Sequence, residues 1–397
     1  MIFIPRTVIP SQLIPRKKAL ELILSSFPAP DNQEAVPVPT ADGRVLAVPV
    51  RSQRTNPPVL LGGPDGIAVK SPETTGAAKD HEIELEASRV NTGMPMPEGS
   101  DAVIAIEDVT PAGENRYRIH TTVLPYENTI PAGSDIKKDD PVMDSGHLIA
   151  PRDIGALLAF GITEVTVKKW TVGLIATGDE IISPYAEPVP GQIVDSNSYM
   201  LSAYLRQAGI VPVMYPIVHD NRDAIAEAID KGIQQCDMLL VFGGSSAGSK
   251  DFTVDALERS GKLLFHGVAM GPGKPVTFAN VAGKPVVGMP GPSVASLTAF
   301  HELVCPLLVQ WGVPVPPDRR VKGVLARPLP PVGGFDLFMM VTVEKKDGQI
   351  LVTPLARAFG HMAGVRADAV FHVAAGSMAL AKGDTVEVRM LRATRAV

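Results

Sequence analysis

Two cysteines, Cys236 and Cys305, are all that the 397 residues contain. So few exclude a disulfide framework, and their spacing fits no thiolate metal cage. The chain therefore reads as a product of a reducing cytosol, with both thiols serving as small buried hydrophobes. No run of like charges marks a polyanion-binding tail, and the formal net charge of −5 leaves no electrostatic footprint for nucleic acid. No apolar stretch reads as a membrane span. The opening MIFIPRTVIP is broken by Pro5 and Pro10 and lacks the plan of a signal peptide. Walker and dinucleotide-binding loops are missing as well. What is present is ordinary globular composition, 45% apolar and 20% charged, in a chain long enough for roughly two to four compact units. A cytoplasmic, multidomain enzyme or ligand-binding protein is the expectation.

The texture changes along the chain. LIPRKKALELILSS, residues 13–26, has helical apolar spacing after a proline. A Pro-, Gly- and Val-rich stretch follows to about Asp140, with short β-like runs such as RVLAVPV and DAVIAIEDV between turn clusters. It predicts an irregular, mostly β module. APRDIGALLAFG then reads as a helix with Pro151 in its first turn and Gly161 at its end. From Trp170 onward strands and helices alternate: TVGLIAT, SNSYMLSAYLRQAG, IVPVMYPIV, NRDAIAEAIDKGIQQ, DMLLVFGG, KLLFHGVA, KPVVGMPG and SVASLTAFHELVCPLLVQWG. That alternation predicts a parallel sheet with helices on both faces. From about residue 320 the chain returns to short β-rich runs, as in KGDTVEVRML, which predicts a small separate β domain.

Ligands of open α/β sheets bind beyond the carboxyl ends of the strands, so the loops there carry the argument. The first offers Thr177, Gly178, Asp179 and Glu180; Asp179 and Glu180 also read as a solvated turn. Asp195, Ser196 and Asn197 lead into a helix, where they would cap it or share its free N–H groups with an anion. After MLLVF comes GGSSAGSKD, residues 243–251. Gly243, Gly244 and Gly248 let backbone approach a ligand, and Ser245 and Ser246 can donate to a phosphate or a polar ring edge. Asp251 would repel an anion unless a metal ion sits between them; it would also serve as a cap for the helix that follows. Lys274 in PGKP is a candidate phosphate contact, and Pro290–Gly291–Pro292 precedes a second helix start at Ser293. Asp220 reads as the cap of NRDAIAEAID, and Asp135 as a turn residue. Together these loops predict a cleft for a phosphorylated, polar ligand.

The ordered set TGDE (177–180), GQIVDSN (191–197), GGSSAGSKD (243–251), PGKP (272–275) and MPG (289–291) resembles the molybdopterin molybdenumtransferase family, which includes MoeA and the gephyrin E domain. PDGIAV (64–69), NTGMPMPEGSDAVIAIED (91–108), PAGSDI (131–136) and GALLAFGITEVTV (155–167) extend the resemblance over nearly the whole chain. It implies a multidomain α/β plus β homodimer. Residues 1–50 with 141–169 would form a helical linker domain and 51–140 an inserted irregular β module. Residues 170–315 would form the molybdopterin-binding α/β sandwich and 320–397 a C-terminal β barrel. The implied reaction inserts molybdate into adenylylated molybdopterin and releases AMP, with Mg²⁺ as cofactor. A molybdopterin adenylyltransferase and apo-molybdoenzymes are the implied partners.

By the same resemblance Asp65, Glu180 and Asp251 would be catalytic, and Glu180, Asp220, Asp251 and Asp135 would hold the metal. Thr92 would bind the ligand, and it would come with Asp65 and Asp135 from the partner side. The sheet-domain loops, from Thr177 to Ser293, would bind its pterin and phosphates. The chain also departs from the family. Gly271 stands where a Lys usually precedes PGKP, and Gly267 where some members carry another. Pro292 and Ser293 replace Asn-Pro, Asn128-Thr129-Ile130 lacks the family's Arg, and Ser134 replaces a Glu. Most losses are cationic, while the acids remain. Two expectations follow: a molybdenumtransferase with a variant oxyanion site, or a molybdopterin-binding carrier or sensor without insertion activity.

Overall fold

The computed structural model describes residues 13–243, 252–346, 348–356 and 360–392. They fall into two compact units, Gln33–Lys168 and the chain on either side of it.

In the first unit, strand Gln33–Pro37 pairs antiparallel with Glu164–Lys168, so the two ends of the unit lie side by side. Val38, Leu46, Ile149, Leu157 and Val167 form the core beneath them. The helix Pro151–Ala159 starts where a fixed φ costs nothing, at Pro151. Asp153 closes its first turn by accepting from Ala150 N at 2.9 Å and pairing with His147 Nε2 at 2.8 Å. The β part has two three-stranded sheets. Gly66–Val69 runs between Ser88–Val90 and Ala102–Ala105, and Arg116–Ile119 lies between Ile83–Glu86 and Val109–Gly113. Ile67, Leu85, Ile104 and Ile119 from both sheets share one core.

Gly66 is the tight point of that core, because a Cβ there would collide with the backbone carbonyl of Ile104. Gly66→Ala is expected to cost about 3 kcal/mol, since backbone rather than a side chain must yield. Thermal unfolding checks it, and an unchanged Tm would show that the strand shifts freely.

The second unit holds a six-stranded sheet and a barrel. The sheet strands are β1 Thr171–Ala176, β2 Val211–Met214, β3 Met238–Phe242, β4 Lys262–His266, β5 Thr277–Val281 and β6 Lys284–Met289, in spatial order 2-1-3-6-5-4. Helices α1 Asn197–Gln207, α2 Arg222–Gln235 and α3 Phe252–Ser260 connect the first strands. β2, β1, β3 and β6 are parallel, and continuous apolar runs such as MLLVF are buried on both faces, as such strands require. β4 and β5 correct the expectation of an all-parallel sheet. β5 and β6 form an antiparallel hairpin about Ala282–Gly283, both at positive φ (52° and 82°), and β4 pairs antiparallel with β5.

The 18-residue helical run Ser293–Gln310, with a π-turn at Phe300–Val304, packs against α1 and the helices Arg16–Ser26 and His361–Arg366. Its mean hydropathy of 1.3 and its length would suffice for a membrane span, which corrects the reading that no stretch has that character. Yet 72% of it is buried, and it serves as a core helix. The barrel strands are β7 Arg320–Leu325, β8 Asp336–Lys346, β9 Gln349–Pro354, β10 Ala369–Val373 and β11 Thr385–Met390. They close in the order 8-9-7-11-10 and back to 8, around Leu325, Val341, Val352, Phe371 and Val388. Met270–Gly271 adds a parallel strand to β8, joining sheet domain and barrel. Glu302, between Arg16 (3.4 Å) and Arg389 (3.0 Å), fixes the same junction electrostatically.

Candidate functional site

The strand order makes β1 the switch point: the chain leaves it for β2 on one side and returns to β3 on the other. A crevice therefore opens where β1 and β3 end. Thr177 N donates to Phe242 O at 2.6 Å, and Gly178 N donates to Val218 O at 3.1 Å, which locks these ends together. Gly243 follows β3 at φ +128°, and any Cβ would meet the Thr177 carbonyl. The glycine is what lets the two backbones touch. Because Phe242 pairs with Met289, the turn Pro290–Gly291–Pro292–Ser293 begins beside it. Three strand ends thus bring Thr177, Gly243 and Gly291 into one row. Thr177 Oγ1 is buried and lacks a hydrogen-bond partner among the described residues, as an atom awaiting a ligand would.

The GQIVDSN segment closes this row. Asp195 is buried and accepts Ser198 N at 3.1 Å, so of the three candidates Asp195, Ser196 and Asn197 it is Asp195 that caps α1. Asn197 Nδ2 donates to Gly291 O at 2.7 Å and leaves its Oδ1 buried and without a partner among the described residues. Ser196 Oγ lies 3.1 Å from His361 Nε2, a residue from the barrel region.

Acids gather at the same edge. Asp220 is not the cap of α2: Asn221 Oδ1 takes Asp223 N at 2.9 Å and Ala224 N at 3.0 Å. Freed from that duty, the Asp220 carboxyl is pushed up by burial and then by the charges of Glu180 and Asp179, and its Oδ1 is buried without a hydrogen-bond partner among the described residues. Asp179 differs. His219 Nδ1 lies 2.9 Å from its Oδ1 and, with Asp220 N, holds its carboxyl below the usual range. An all-carboxylate set with an orphaned buried oxygen suits a hard divalent cation such as Mg²⁺. Among the described residues no group of three or more His, Cys, Asp or Glu holds a metal by itself. Asp251, expected to complete the set, lies outside the described residues, as do Gly244, Ser245, Ser246 and Gly248. The loop's two flanks are pinned: Thr253 Oγ1 donates to Gly243 O at 3.0 Å.

Lys274 sits on the turn after Met270–Gly271, where its carbonyl accepts Val268 N at 2.9 Å. A cavity of ≈ 370 Å³ between the π-turn and the barrel includes Arg16, His301, Glu302, Cys305 and Arg389 in its wall, but none of the candidate catalytic, ligand-binding or metal residues.

In the first unit Asp65 and Thr92 are brought together. Thr92 N (2.8 Å) and Oγ1 (3.1 Å) both donate to Asp65 Oδ1. The Thr92 N–H, then its hydroxyl, hold the exposed Asp65 carboxyl below its ordinary range, and Arg89 adds to this. Asp135 Oδ2 accepts from Asn56 Nδ2 at 2.9 Å. His219 and His361 were missed. His219 had a signal, since it closes a strand-end loop beside Asp220. His361 had none, because only tertiary folding carries it to Ser196.

Comparison with known proteins places these features together. Residues 173–310 match the model of a probable molybdopterin binding domain, and residues 14–161 match the MoeA N-terminal region, domains I and II. The chain is 30% identical over 335 residues to the molybdopterin molybdenumtransferase of Nostoc sp. PCC 7120, covering 78% of this chain and 76% of that one. It is 28% identical over 355 residues to the enzyme of that name from Bacillus subtilis, 83% of each chain. The crystal structure of a molybdopterin biosynthesis MoeA protein from Pyrococcus horikoshii superposes with a TM-score of 0.81 at 27% identity, covering 96% of this chain and 100% of that one.

Proposed function

Since the chain belongs to the molybdopterin molybdenumtransferase family, and so to molybdenum cofactor biosynthesis, we propose that it inserts molybdate into adenylylated molybdopterin and releases AMP. The observation that carries this reading is the pairing of a ligand row with an acid cluster at one strand edge. Thr177 Oγ1 and Asn197 Oδ1 are buried without partners among the described residues, beside Gly243 and Gly291, and Asp220 lies next to Glu180.

In this reading the backbone at Gly178, Gly243 and Gly291 approaches the pterin and its phosphates, with Lys274 as a cationic contact. Thr177 and Asn197 fix orientation through their unpaired oxygens. Glu180 and Asp220, with Asp251 and with Asp135 contributed by the other copy, would hold Mg²⁺, which when bound offsets charge developing on the pyrophosphate oxygens. The working unit is a cytoplasmic homodimer in which Asp65 and Thr92 face the sheet domain of the other copy. Asp65 arrives ionised because Thr92 stabilises its charged form. The molybdopterin adenylyltransferase supplies the substrate, and apo-molybdoenzymes receive the product.

Gly267 and Gly271, where family members carry Lys, favour a second reading as a carrier or sensor that binds molybdopterin without inserting metal. Purified protein incubated with adenylylated molybdopterin, Mg²⁺ and molybdate separates the two. Molybdate-dependent AMP is expected. Tight ligand binding with no AMP would establish the carrier instead.

A further inference from the structure

We propose that His361 is a positioning residue that holds Ser196 against the anionic part of the bound ligand. The inference rests on the molybdenumtransferase reading. His361 opens the short helix His361–Arg366, which packs on Ser293–Ala299. His361 Nε2 lies 3.1 Å from Ser196 Oγ, a hydrogen bond spanning 165 residues of sequence.

Ser196 is not occupied by the helix it precedes. Asp195 takes the capping duty by accepting Ser198 N, and Asn197 is tied to the Gly291 carbonyl. The Ser196 hydroxyl is therefore left to His361 and to a ligand. With Nε2–H donating to Ser196 Oγ, the Ser196 proton is directed away from the imidazole and is free to meet a phosphate oxygen. The local charge balance also calls for such a donor. Asp195 puts a buried carboxylate at the start of α1, which opposes an anion there, and positions 267 and 271 carry glycine. A histidine reaching in from the barrel supplies hydrogen-bonding capacity from an element whose local sequence gives no sign of it.

Steady-state AMP release tests this with His361→Ala, His361→Gln, Ser196→Ala and the double variant His361→Ala/Ser196→Ala. His361→Ala is expected to raise KM for adenylylated molybdopterin roughly tenfold with kcat within about twofold, as loss of one ligand-orienting hydrogen bond would. His361→Gln keeps an N–H donor and should recover most of the loss. The double variant should be no worse than Ser196→Ala alone, because both act through one hydroxyl. Since the His361 side chain is exposed, Tm should not move. A KM within twofold of wild type in His361→Ala, or additive losses in the double variant, would overturn the proposal. If wild type releases no AMP, the enzyme reading fails, and calorimetric Kd values for adenylylated molybdopterin decide about His361 separately. A tenfold weaker Kd in His361→Ala sustains it, and an equal Kd, or no binding by wild type, removes it.

Discussion

Glu180→Gln is expected to lower molybdate-dependent AMP release by about 100-fold while changing the Kd for adenylylated molybdopterin only a few-fold. The substitution is nearly isosteric and removes one negative charge. That charge is one of the reasons the Asp220 carboxyl is held above its ordinary range, after burial itself. Like charges crowded at a half-buried position are costly unless a cation shares them, which is the ground for the metal proposed at this cluster. Two readouts follow. Turnover at saturating substrate reports the loss of chemistry, and the rise in Tm on adding Mg²⁺ should be smaller in the variant than in wild type. A kcat within about threefold of wild type would falsify the assignment of Glu180 to the metal.

Restoring a cation should act in the opposite direction. Gly271→Lys is expected to lower KM for molybdate roughly tenfold, the order of one charge-assisted contact. The backbone permits it: a Cβ at position 271 would stand 3.6 Å from the Phe335 ring, an ordinary contact. Gly267 provides the contrast. It lies at φ +84°, and a Cβ would come within 2.5 Å of Leu13 Cδ2, so Gly267→Lys should lose about 1–2 kcal/mol of stability and gain no activity. An unchanged molybdate KM in a stably folded Gly271→Lys would mean that the missing lysine does not limit the reaction.

How much of this was legible beforehand depended on how local each signal is. β3 could be read because MLLVF is apolar without interruption, which few alternatives allow. The β5–β6 hairpin could not, because hydropathy carries no strand direction, and Ala282–Gly283 is a weak turn signature. Asp220 was misplaced by a single residue. Asp220 and Asn221 are both good caps, and only the hydrogen bonds from Asp223 N and Ala224 N decide between them. Ordered motifs marked Thr177, Asn197 and Gly291 as candidate site residues, yet nothing in their spacing said that Asn197 bonds the Gly291 carbonyl. That contact depends on the parallel register that sets Phe242 beside Met289.

The two-residue strand Met270–Gly271 has a consequence for how this protein could be recombined. It belongs by chain position to the sheet domain, since PGKP follows directly, but its hydrogen-bonding partner is β8 of the barrel. The barrel returns the exchange by sending His361 to Ser196. Sheet domain and barrel are therefore interleaved. A chimaera spliced at the linker near residue 315 would inherit a PGKP turn templated on one parent's β8 and a histidine suited to the other parent's serine. The pair behaves as one heritable unit, and a cut made only by sequence boundaries would divide it in the wrong place.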